Sequence, residues 1–161
     1  MRSFKEFLIE YTQLSGTYAA VKPSKNDSNI LEKFISDNNI PNPEPIDKLH
    51  ATLLYSRKPL PSYKPDPKLT HLVLVDKLEI WPTKSGKNCL VLKLKSDDLS
   101  KRHLYLMNKH KATYDYPEFK VHISLSYDVG DYDISKLNIK YLPKTIKLDG
   151  EYHEPLDTSG K

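Results

Sequence analysis

A chain of 161 residues, 38% of them hydrophobic and 29% charged, has room for one compact domain with a proper core and too little for two ordinary ones. Its net charge of +4 is spread along the sequence, a mild bias toward anionic partners that lacks the dense basic stripe of a duplex-DNA binder. The single cysteine, Cys89, excludes an internal disulfide and a cysteine-built zinc site, and no apolar run approaches the ~20 residues of a membrane span. Met1-Arg2-Ser3-Phe4-Lys5 opens no secretory pattern, so the expected setting is the reducing cytoplasm, away from membranes.

Ser3-Phe4-Lys5-Glu6 is a capping box, and Phe4, Phe7, Leu8 and Tyr11 follow it at helical spacing up to Gly16. Thr17 to Val21 predicts a strand with Tyr18 on the face opposite Thr17, Ala19 and Val21. After a polar turn from Pro23 to Ser28, Asp27 or Ser28 is expected to cap a second helix with the stripe Ile30, Leu31, Phe34 and Ile35, closed by Asn38-Asn39. Pro41, Pro43 and Pro45 then make a stiff loop into Lys48 to Ser56. Residues 57–68 hold four prolines and Tyr63, a surface loop that serves as a lid near one end of a cleft or as a plain connector.

Leu72 to Trp81 predicts one long strand or a bent pair, and Thr83 to Asn88 with Gly86 turns it into a second strand over Cys89 to Lys95. Ser96-Asp97-Asp98 caps a third helix whose apolar side is Leu99, Leu104, Leu106 and Met107. His103 and His110 share one side of it, too far apart for a metal pair, and read as ordinary helix residues. Tyr114 to Pro117 ends this helix, Val129 to Tyr132 is a turn, and Leu142 to Tyr152 adds a strand with Ile146 and Leu148 on one face and Glu151 near its end. Thr158 to Lys161 is a tail. This order of elements predicts an α+β domain.

One stretch is written twice. Lys48-Leu49-His50-Ala51-Thr52-Leu53-Leu54-Tyr55 and Lys120-Val121-His122-Ile123-Ser124-Leu125-Ser126-Tyr127 share Lys, aliphatic, His, any residue, hydroxyl, Leu, any residue, Tyr. Strand alternation sends Lys48, His50 and Thr52 to one face and Leu49, Ala51, Leu53 and Tyr55 to the other. In the second copy Lys120, His122, Ser124 and Ser126 oppose Val121, Ile123, Leu125 and Tyr127. If the two strands lie side by side, two imidazoles and two hydroxyls meet in one cleft.

Imidazole has an unperturbed pKa near ~6.5, so one ring can act as base while the other acts as acid. A phosphodiester beside a ribose 2′-hydroxyl requires that division: the base frees the 2′-oxygen to attack phosphorus and the acid protonates the departing 5′-oxygen. Thr52, Ser124 and nearby lysines would hold the non-bridging oxygens. This chemistry needs no metal or other cofactor, and the sequence has no carboxylate cluster suited to magnesium or zinc. The near-equivalence of the copies leaves open which histidine is base, and the oligomeric state is open as well.

His50-Ala51-Thr52 and His122-Ile123-Ser124 on duplicated strands resemble the paired signature of the two-histidine (2H) phosphoesterases. The resemblance implies that residues 1–161 form a single bilobal α+β domain, with two antiparallel sheets around a central cleft and helices packed outside. It implies cleavage of cyclic phosphates and related phosphodiesters without metal. More narrowly, Leu14 to Val21 and the whole arrangement resemble the bacteriophage anti-CBASS nucleases. That likeness implies a cyclic di- or trinucleotide substrate such as 3′,3′-cGAMP, Tyr18 and Trp81 stacked on bases, and Glu151 (or its neighbour Glu154) accepting from an adenine edge. A 2′,3′-cyclic phosphodiesterase or 2′,5′-RNA end-processing enzyme, and a non-enzymatic module that binds single-stranded RNA or nucleotides, are the competing readings.

Overall fold

At Gly16 nothing larger fits, because a Cβ there would run into the Ser56 carbonyl oxygen. Residues 16–156 are described by this computed structural model, so the expected first helix and the C-terminal tail lie outside the described residues. Six strands and two long helices follow: β1 (Thr17–Pro23), α1 (Lys25–Asp37), β2 (Ala51–Ser56), β3 (His71–Pro82), β4 (Asn88–Lys95), α2 (Asp97–His110), β5 (His122–Ser126) and β6 (Thr145–Pro155). Ser24, not Asp27 or Ser28, caps α1, its Oγ accepting from the Asp27 N–H at 3.2 Å. The Asp27 carboxylate accepts in turn from the Ser24 hydroxyl and the Lys147 N–H, so the helix starts earlier than expected. Ser96 caps α2 as the sequence indicates.

The strands close in the order β1-β2-β5-β4-β3-β6, every pair antiparallel. The two expected sheets are present as halves, β6-β1-β2 and β3-β4-β5. They join along one edge through His71–Leu74 against Thr145–Leu148, and along the other through the single pair Ala51–Ile123. One face carries the core: Ala19, Val21, Leu53, Leu90, Leu92, Ile123, Leu125, Ile146 and Leu148 are buried with Leu31 and Phe34 of α1 and Leu99 and Leu106 of α2. Full burial of such a side chain stabilises by about 1.5–3 kcal/mol, so this face fixes the register and leaves the opposite face free for chemistry.

Each copy of the repeated stretch contains a bulge at the same place. Ala19 pairs with Leu54 and Ala20 with Thr52, skipping Leu53; Leu90 pairs with Ser126 and Val91 with Ser124, skipping Leu125. The extra residue reverses the alternation beyond it. Tyr55 and Tyr127 therefore leave the apolar face on which alternation placed them and join the histidine face, while Ser126 turns inward and donates to the Pro41 carbonyl at 2.6 Å. A bulge also strands a carbonyl, and both are recovered. Leu53 O accepts from the His103 Nδ1–H at 2.8 Å, and Leu125 O from the Glu44 N–H at 2.9 Å.

His103 is thus a core residue rather than an ordinary helix position; it is buried and stacked on Phe119 with centroids 3.9 Å apart, while Leu104, expected inside, is exposed. Burial pushes its imidazole below the ordinary value, with the bond to Leu53 O only partly opposing this. The folded state resists a proton that the unfolded chain accepts below ~6.5, so stability is full above that pH and falls as pH drops from there toward the folded value. His103→Ala should cost about 2–4 kcal/mol in urea unfolding at pH 7.5 and flatten the loss between pH 6.5 and 5.5. An unchanged midpoint would remove His103 from the support of the bulge.

The 57–68 loop is a pinned connector. Tyr63 is buried, its hydroxyl donates to Glu151 Oε2 at 2.8 Å, and the Asp66 N–H donates to the same oxygen at 2.9 Å. Both contacts lie on the core side of β6, away from the histidine face. Among the described residues no helix is long and apolar enough to cross a membrane.

Candidate active site

The pair Ala51–Ile123 is the axis of the site. Its antiparallel register directs His50 toward the Ser124 side and Thr52 toward the His122 side, so the two histidines lie diagonally about this pair. Because only one pair joins β2 to β5, the strands part on either side of it. The local arrangement repeats about a two-fold axis through this pair, as the duplicated sequence suggests.

Both rings are fixed in the same way. His50 Nδ1 lies 2.7 Å from the Lys48 carbonyl oxygen, and His122 Nδ1 lies 2.7 Å from the Lys120 carbonyl oxygen. A carbonyl only accepts, so each Nδ1 carries the proton and each Nε2 is left as the nitrogen that exchanges protons with a substrate. An aromatic ring flanks each imidazole: Tyr18 edge-on to His50 at 6.0 Å, and Trp81 tilted over His122 at 4.4 Å. Trp81 is itself held, since its indole N–H donates to Glu79 Oε2 at 2.7 Å and keeps that carboxyl below the ordinary range. The hydroxyls have partners too. Tyr18 Oη is 2.9 Å from Thr52 Oγ1, and the Cys89 thiol donates to Ser124 Oγ at 3.6 Å.

His122, half-buried, has Trp81 packed over its ring, where His50 meets only the edge of Tyr18. Burial pushes His122 below the ordinary imidazole value, and the neighbouring His50 adds to the effect against the opposing bond to Lys120 O. A ring so placed is neutral at pH 7 and ready to accept a proton.

Of the residues named from sequence, His50, Thr52, His122, Ser124, Tyr18 and Trp81 are brought together on one strand face. Glu151 is not. Gly150, at φ 64°, makes a bulge against β1 that turns Glu151 to the core side and Tyr152 and Glu154 to the histidine face, where Glu154 pairs with Tyr18. The Glu151 side chain is fully buried and bound by Arg102, Tyr63 and the Asp66 N–H, so its carboxylate has nothing left to offer a base. Of the pair Glu151 and Glu154, the geometry favours Glu154.

Sequence reasoning missed Lys22 and Lys93, which follow Ala20 and Val91 by one pleat; Lys93 is paired with His122, and Lys22, one residue past the Val21–Ala51 pair, donates to the Asp47 carbonyl at 2.9 Å. The signal was faint: the neighbouring strands share only an apolar run ending in lysine, Ala19-Ala20-Val21-Lys22 and Leu90-Val91-Leu92-Lys93. Tyr55 and Tyr127 were missed because of the bulges. Among the described residues no group of three or more His, Cys, Asp or Glu side chains is placed to hold a metal ion.

A closed α+β sheet carrying two His-x-hydroxyl strands joined at one pair is the arrangement that the sequence resemblance implied. In a solved structure of Escherichia coli LigT complexed with 3′-AMP the same fold recurs, with a TM-score of 0.55 at 13% identity over 89% of this chain and 95% of that one. Residues 15–161 match the family model of the anti-CBASS protein Acb1, and the chain belongs to that family. It is 36% identical over 156 residues to the Acb1 protein of Enterobacteria phage T4, covering 97% of this chain and 94% of that protein. The Acb1 protein of Acinetobacter phage Ac42 is 36% identical over 146 residues, 91% of this chain and 94% of its own.

Proposed function

We propose that this chain opens cyclic di- and trinucleotide second messengers such as 3′,3′-cGAMP by cleaving a 3′–5′ phosphodiester without metal, in the host bacterial cytoplasm, as a phage counter-defence. The observation that carries this is the pair of identically oriented imidazoles, each with Nδ1 spent on a backbone carbonyl, on two strands joined at Ala51–Ile123. Membership of the anti-CBASS family supports the class of substrate.

His122, neutral through burial, takes the proton from the ribose 2′-hydroxyl. The 2′-oxygen forms its bond to phosphorus as the bond to the 5′-oxygen breaks, and His50, protonated, delivers its proton to that oxygen. Charge building on the non-bridging oxygens is met by the Thr52 and Ser124 hydroxyls, with Lys22 and Lys93 alongside. The 2′,3′-cyclic phosphate so formed is opened by water with the proton roles reversed, which leaves a linear product ending in a 3′-phosphate. Tyr18 and Trp81 offer ring faces to the bases on either side of the scissile phosphate, where stacking contributes about 1–3 kcal/mol per base.

Incubation with 3′,3′-cGAMP in EDTA, followed by mass spectrometry, tests this directly. The expected product is linear and carries a terminal 3′-phosphate. An intact ring after long exposure, or faster turnover of RNA ending in a 2′,3′-cyclic phosphate, would overturn the substrate.

A further inference from the structure

We infer that the Tyr18 hydroxyl is a positioning group: it orients the Thr52 hydroxyl toward the scissile phosphate, independently of any stacking by the Tyr18 ring. The inference rests on the phosphodiesterase reading above and concerns a single proton. Thr52 Oγ1 has one O–H and two lone pairs, and its rotor is free unless a neighbour fixes it. Tyr18 Oη sits 2.9 Å away, and no other hydrogen bond of that phenol is present among the described residues. Two protons are available for two bonds once an anion enters. If Thr52 donates to Tyr18, the anion faces a lone pair. If Tyr18 donates to Thr52, the threonine proton is directed at the phosphoryl oxygen, and each bond in the chain strengthens the next. Burial lifts the phenol far above its ordinary value, so it stays a donor through the whole working range.

The other half of the site supplies a control. Thr52 pairs with Ala20 and Ser124 with Val91, so the residue one pleat back on the same face is Tyr18 in one half and Cys89 in the other. Position for position, then, a thiol stands where the phenol stands. A thiol is a weak donor, and at 3.6 Å from Ser124 Oγ it adds little to the Tyr127 phenol beside the same serine. At the position one pleat back, then, Thr52 meets a strong donor and Ser124 a weak one, while the phenol near Ser124 comes from its own strand, Tyr127. The local symmetry of the backbone hides this difference.

The test is a cycle of Tyr18→Phe, Thr52→Val and the double variant, each assayed for kcat and KM on 3′,3′-cGAMP and for affinity toward inorganic phosphate by calorimetry. Phenylalanine keeps the ring for stacking. Tyr18→Phe should lower kcat about five- to ten-fold with KM within two-fold, the size expected for one hydrogen bond. The double variant should match Thr52→Val, because the phenol acts only through the threonine. Phosphate affinity should fall in the same non-additive pattern, whereas Cys89→Ala should change kcat less than two-fold. Wild-type kcat in Tyr18→Phe, additive losses in the double variant, or an equal loss in Cys89→Ala would each overturn the inference. Should the wild type turn over no cyclic nucleotide, the functional reading falls, and the phosphate-affinity cycle still decides the orienting role.

Discussion

His122→Ala and His50→Ala should each lower kcat by about a thousand-fold, within the usual span of general acid–base help, while leaving KM within a few-fold. The loss alone does not separate the two roles; the leaving group does. A cyclic dinucleotide with sulfur in place of the scissile 5′-oxygen departs as a thiolate and needs no proton. On that substrate His50→Ala should recover to within about ten-fold of the wild type, because only the acid has been removed. His122→Ala should stay low, because the 2′-hydroxyl still keeps its proton. The asymmetry follows from placement: Trp81 packs over His122 at 4.4 Å and burial holds the ring neutral. The limb of the kcat/KM profile that reports the base should accordingly fall below ~6.5. Rescue of His122→Ala instead would exchange the two assignments.

What the sequence made legible is the part of the site that depends on one strand at a time. Alternation within Lys48 to Thr52 and Lys120 to Ser124 put His50 and His122 on one face with Thr52 and Ser124, and the doubled pattern brought the strands together. Legibility stopped where a partner strand decides the outcome. A bulge carries no residue of its own, so nothing in Leu53-Leu54-Tyr55 or Leu125-Ser126-Tyr127 announces that the tyrosines change sides. The register against β1 and β4 does that, and the stranded carbonyls are met by His103 and Glu44, fifty and more residues away in sequence. His103 failed to stand out for the same reason, since its partner is a backbone atom and its environment a stacked ring. The glutamate shows a different failure: Glu151 and Glu154 differ by three positions, an odd number, and strand parity puts them on opposite faces. Only the kink at Gly150 decides which of them meets the cleft.

The consequence for Glu151 is a large effect on stability and none on base selection. Its carboxylate receives Arg102 Nε at 3.0 Å and Nη2 at 2.8 Å, together with the Tyr63 hydroxyl and the Asp66 N–H. Burial alone would raise this carboxyl, yet the four donors outweigh it and hold it below the ordinary range. The pair is therefore stabilising above the unfolded carboxylate value of ~4.3 and fails as pH drops through the folded value. Removing one member of a buried pair leaves the other charge stranded, a loss of roughly 3–5 kcal/mol. Glu151→Gln should lose about that much in urea unfolding, free the 57–68 loop to proteolysis at Tyr63, and keep its preference among cyclic nucleotides in the fraction still folded. Arg102→Met with Glu151→Leu should cost far less than the two single changes added together. Glu154→Gln is the reverse case: on the exposed cleft side it should move stability by no more than about 0.5 kcal/mol while shifting the preference between adenine- and guanine-containing rings. A Glu151→Gln protein of normal stability whose adenine preference has vanished would return the base contact to Glu151, and the internal pairing with Arg102 would have to open when nucleotide binds.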